Sequence, residues 1–118
     1  MPLPSLQLVR TAIYRRDLSQ IAYQQFGDMV KAVVDIRREV MAIGGGLHSD
    51  EEALLIDDGS RQEDLWGINL YPAEAVEAWI EYDSMINVRP AQGNRSRGVE
   101  DREVQEQIRR VVAALVVD

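Results

Sequence analysis

The stretch Met29-Val30-Lys31-Ala32-Val33-Val34-Asp35-Ile36 decides the fold class of this chain. Val30, Ala32, Val34 and Ile36 fall on one side and Lys31, Val33 and Asp35 on the other, which is the two-residue period of a half-buried strand. Downstream, Val40 to Ile43 is apolar on both sides and runs into Gly44-Gly45-Gly46, so it reads as a covered strand entering a turn. Ala53 to Ile56 reads as a further short strand. The Asp57-Asp58-Gly59-Ser60 after it is a hairpin signal, because an Asp-Gly pair accepts positive φ. The returning strand has Trp66, Ile68 and Leu70 on one face and Leu65, Gly67 and Asn69 on the other. After Pro72 and a helical turn over Ala73 to Ala78 comes the longest alternation, Ile80, Tyr82, Ser84, Ile86 and Val88 against Trp79, Glu81, Asp83, Met85 and Asn87.

Upstream, Leu6 and Leu8 suggest a short first strand, and a helix is expected from Arg16 to Phe26, where Leu18, Ile21, Ala22 and Phe26 recur at helical spacing before Gly27. The last element is a helix from Asp101, an N-cap residue, with Val104, Ile108, Val111, Val112 and Leu115 as its apolar stripe. The expected fold is one α+β domain over residues 1–118 in the order β-α-β-β-β-β-β-α. It has a mainly antiparallel sheet of about five to six strands and two helices on one face.

Composition bounds the function. The chain has 118 residues, 46% hydrophobic and 28% charged, which is apolar enough to bury a core without disulfides or a structural metal. It has no cysteine and one histidine, which excludes thiolate chemistry and metal sites built on several imidazoles. Its first ten residues lack the layout of a secretory leader, and its longest apolar run, Val111 to Val117, is too short to span a bilayer. A cytoplasmic protein with no membrane partner is expected. The net charge of −7 argues against nucleic acid as a partner, since phosphate contacts demand a basic face. The charge is unevenly spread: residues 50–64 carry seven acids against Arg61, whereas residues 89–98 carry Arg89, Arg95 and Arg97 with no acid.

That acid-free loop, Arg89 to Gly98, is the strongest candidate for chemistry. Forked guanidinium donors, two glycines and an adjoining helix start suit an oxyanion, so Arg89, Asn94, Arg95 and Arg97 are candidate ligand contacts for a small anionic or phosphorylated molecule. The competing reading makes the loop a structural clasp pinned by the acidic segment 50–64, in a non-catalytic homo-oligomer or adaptor whose sheet edges pair in a homodimer. His48, after the triple glycine, and Asp83 are candidate proton carriers should the domain be an enzyme, a question the sequence leaves open. No cofactor motif is present: the loop lacks the Walker spacing, and Asp57 to Glu63 lacks the alternating oxygens of a calcium loop. A solvated hairpin is preferred there to a divalent-ion site on Asp57, Asp58, Glu63 or Asp64, so no metal is expected. Trp66 and Trp79 fall among apolar neighbours, as core residues do.

Three segments carry a resemblance. Gly45-Gly46-Leu47-His48 with Asp50, Asp58-Gly59-Ser60 with Gln62-Glu63-Asp64-Leu65-Trp66-Gly67, and Ile86-Asn87-Val88-Arg89-Pro90-Ala91-Gln92-Gly93-Asn94-Arg95-Ser96 are similar to segments of a family of short prokaryotic proteins with no assigned function. The resemblance covers roughly residues 28–110. It implies a single small domain and supplies no reaction, ligand or catalytic residue.

Overall fold

The computed structural model describes residues 5–118; residues 1–4, part of the start read as lacking a leader, lie outside them. The elements are β1 (Gln7–Val9), β2 (Ile13–Tyr14), α1 (Arg15–Gln25), β3 (Val30–Asp35), β4 (Val40–Ile43), α2 (His48–Asp57), β5 (Leu65–Leu70), β6 (Ile80–Glu81), α3 (Arg102–Leu115) and β7 (Val116–Val117). The main sheet is antiparallel throughout, in the order β1-β4-β3-β5-β6, and a parallel β2–β7 pair joins the two ends of the chain. The α+β class expected from the sequence is what the chain adopts. No helix among the described residues is long and apolar enough to cross a membrane.

β3 lies at the centre because its alternation is satisfied on both sides. Val30, Ala32 and Val34 face α1 and α3, packing with Leu18 and Ile21 of the first helix and Ile108, Val112 and Leu115 of the second. Trp66, Ile68 and Leu70 join them, as the strand pattern requires. The opposite face buries Val33, Val40, Ala42 and Leu65 beneath Leu55 of α2. The two helices with readable periodicity do share a face, and a third closes the other.

α2 corrects the expected strand at Ala53 to Ile56. The Asp-Gly pair after it ends a helix: Ser60 N–H donates to the Leu55 carbonyl at 2.9 Å and Gly59 N–H to Ile56 at 3.0 Å, with Gly59 at φ 107°. These paired bonds are a Schellman closure, which needs a left-handed residue just past the helix. The run Ile80 to Val88 is likewise shorter as a strand than its alternation suggests. Pairing stops at Glu81, and Met85–Asn87 forms a 3-10 turn capped by Ser84, whose Oγ accepts from Ile86 N–H at 3.3 Å.

The cause is Asn87. Its fully buried amide pairs with Gly67 of β5 as a strand backbone would, Oδ1 accepting from Gly67 N–H at 2.8 Å and Nδ2 donating to the Gly67 carbonyl at 2.9 Å. The turn is thereby docked over β5. Gly67 is required there, since a Cβ on it would lie 2.5 Å from Ser84 Cβ.

Candidate functional site

α2 leaves the triple glycine with Leu47 as an extended N-cap, and no side chain caps its first turn. Its leading N–H groups therefore present the partial positive charge of a helix start. His48, the first helical residue, is 8% exposed. Its Nε2 lies 2.8 Å from the Ile68 carbonyl of β5. A carbonyl only accepts, so Nε2 carries the proton and Nδ1 holds the lone pair. Burial pushes the imidazole below its ordinary pKa, with the Ile68 carbonyl and Asp83 opposing and Lys31 and Arg97 adding to the shift. His48 is thus a neutral acceptor at neutral pH.

Lys31, the one lysine of the chain, sits on β3 opposite Asn69 and on the same face as Val33, the face α2 covers. It makes no ion pair among the described residues; its Nζ lies 5.3 Å from the Phe26 ring. Ser84 N–H donates to the Arg97 carbonyl at 2.9 Å, and Asn87 Nδ2 donates to the same carbonyl, which fixes Arg97 beside the docked turn. Arg97 Nε reaches Asp83 Oδ1 at 2.6 Å.

These residues enclose a cleft of about 200 Å³. Lys31, His48, Ser49, Ser84 and Arg97 form its polar wall, and Leu47, Met85 and Ile86 its apolar one. No carboxylate lines it.

One turn along α2 from His48, Glu51 is fully buried. Its Oε2 accepts from Gly45 N–H at 2.9 Å, and Oε1 has no partner. Burial pushes this carboxyl up to about 9, against the Gly45 amide and Lys31, so it is an uncharged acid at neutral pH.

The structure brings two of the expected site residues, His48 and Arg97, to this cleft, holds Asp83 outside the lining as the ion-pair partner of Arg97, and places the others elsewhere. Arg89 stacks 4.2 Å over the Trp66 ring and donates to the carbonyls of Gln62 at 2.6 Å and Leu65 at 2.5 Å. It clasps the loop to segment 62–65 through main-chain oxygens rather than carboxylates. Asn94 is 4% exposed; its Nδ2 donates to the carbonyls of Asn87, Ser96 and Gly98, and its Oδ1 accepts from Glu100 N–H. Arg95 is exposed, held through its backbone N–H on Glu100. A larger cavity of about 280 Å³ on the α3 face, lined by Trp66, Gln92 and Asn94, carries the carboxylates Glu63 and Asp101 and no cation.

In the acidic segment, Asp58 is held by Arg10 at 2.5 Å and Arg38 at 2.8 Å, which pull its carboxyl down to about 2. No group of three or more His, Asp or Glu among the described residues is arranged to hold a metal ion. Sequence reading missed Lys31, Ser84 and Glu51 as site residues. The signal available for Lys31 was a cation set between the apolar residues Val30 and Ala32 of the central strand.

Fold and cleft together define a small α+β domain with a cationic pocket at the start of its middle helix. The chain belongs to the family described as Protein of unknown function (DUF5674), which matches residues 7–115. The match spans more of the chain than the segments that carry the resemblance noted above, and it too is to a family without an assigned function. No curated protein and no solved structure matches the chain.

Proposed function

We propose that the domain binds a small anionic ligand in the cleft between the N-terminus of α2 and the Ser84–Ile86 turn. The observation that carries this reading is the lining itself: two cations, two hydroxyls and an imidazole, with no carboxylate. An uncapped helix start adds to the same sign of potential. Lys31 and Arg97 supply the charge, Ser49 and Ser84 the neutral donors. Of the loop residues expected to contact the anion, Arg97 keeps that role; Arg89 and Asn94 hold the loop in shape. On an acidic molecule, a local cationic cleft draws the anion to one place.

The test is thermal unfolding with millimolar orthophosphate or a short carboxylate. A ligand at a hundred times its Kd stabilises by about 2.7 kcal/mol. Lys31→Gln and Arg97→Gln are expected to abolish the rise, and Arg95→Gln to leave it intact, which separates binding from the general effect of such salts on stability. No rise with any anion, or an equal rise in all three variants, overturns the reading.

A further inference from the structure

We infer that the cleft selects a 2-hydroxy monocarboxylate with a short apolar side chain, a reading that rests on the anion site above. Charge sets the first element. Lys31 has no acidic partner, whereas Arg97 is half neutralised by Asp83 at 2.6 Å, so the cleft presents close to one net positive charge and matches a carboxylate better than a phosphate dianion.

His48 sets the second. Its Nε2–H is committed to the Ile68 carbonyl at 2.8 Å, which leaves Nδ1 of this cleft-lining residue without a protein partner among the described residues. An open acceptor in a cleft that Lys31 and Arg97 also line favours a neutral O–H donor, because a second anionic oxygen would meet its lone pair. A hydroxyl beside the carboxylate fills that need, and a 2-oxo group does not.

The third element is the rim. Leu47 and Met85, 60% and 65% exposed, line the cleft together with Ile86. Side chains this apolar gain by covering a branched alkyl group. A volume of about 200 Å³ suits an acid of a few carbons.

Isothermal titration of the full chain with 2-hydroxyisovalerate, isovalerate, 2-oxoisovalerate and orthophosphate tests this. The hydroxy acid is expected to bind about tenfold more tightly than the other two acids, the worth of one hydrogen bond. His48→Gln keeps a donor for the Ile68 carbonyl and removes Nδ1, so it is expected to erase the preference for the hydroxy acid over isovalerate. Nitrogen NMR of the wild-type imidazole gives the same answer without a variant: Nδ1 shifts with the hydroxy acid and not with isovalerate. Equal affinities for the hydroxy acid and isovalerate, or binding of orthophosphate alone, overturn the inference and leave the anion site standing. Silence from all four ligands removes the anion site itself.

Discussion

Replacing Glu51 by glutamine is expected to stabilise the protein, although the residue is fully buried. The carboxyl titrates near 4.5 when the chain is unfolded and near 9 when folded, because burial on α2 disfavours its charge. Between those values the folded state holds one proton more than the unfolded state. Stability therefore falls as pH rises, by about 1.4 kcal/mol per unit. At pH 7 the unfolded carboxyl is ionised and must regain its proton on folding, which costs about 3 kcal/mol as an upper bound.

Glutamine needs no proton. Its Oε1 can accept from Gly45 N–H as Glu51 Oε2 does at 2.9 Å, and its amide NH2 replaces a hydroxyl that has no acceptor in the native acid. Buried hydrogen bonding is then nearly unchanged, and the difference between the two proteins is the proton. Urea unfolding of both proteins from pH 5 to pH 8 should show the variant gaining as pH rises, with the two curves meeting near the unfolded carboxyl's own titration. If Glu51→Gln is less stable by the same amount at every pH, the carboxyl is ionised in the fold, held by Lys31, and the reasoning fails.

Two further outcomes follow from the geometry. Gly67→Ala would place a methyl 2.5 Å from Ser84 Cβ and 2.6 Å from its Oγ, so the docked turn must lift. Thermal unfolding should show a loss of about 1–3 kcal/mol together with weaker anion binding, and an unchanged melting temperature would contradict the docking. Asp58, pulled down to about 2 by hydrogen bonds from Arg10 and Arg38, contributes stability that is present above its ordinary 3.8 and lost as pH falls through 2. Acid unfolding followed by circular dichroism should lose that component in Asp58→Asn; an identical acid limb would exclude the pairing.

The strands were legible wherever both faces of the pattern were apolar or cleanly alternating. β3, β4 and β5 fall where Val30 to Asp35, Val40 to Ile43 and Leu65 to Leu70 predict them, and α3 starts at Asp101, whose side chain accepts from Glu103 N–H at 2.8 Å. α2 was not legible for a specific reason. The residues it buries are His48, Glu51 and Leu55, at helical spacing, but two of the three are polar, so the apolar run Ala53 to Ile56 shows a strand's signature instead. Of the candidate site, His48 and Arg97, and with them Asp83 as the partner of Arg97, could be named from residue type and composition alone. Lys31 and Ser84 could not, because each gains its meaning from what lies across the cleft.

What the sequence by itself determined is the α+β class, the central antiparallel strands and the acid-free character of the loop from Arg89 to Gly98, since periodicity and charge are local properties of the chain. Only the tertiary structure decided where that loop's side chains go. Arg89, Gln92 and Asn94 satisfy main-chain groups, the farthest of them Glu63, 29 residues from Gln92, and Arg97 alone among the loop's arginines is carried to the cleft with Lys31 and His48. Hydrogen-bond partners and net local charge depend on which segments meet in space, and that is set by the packing of α2 and the Asn87 turn on the sheet.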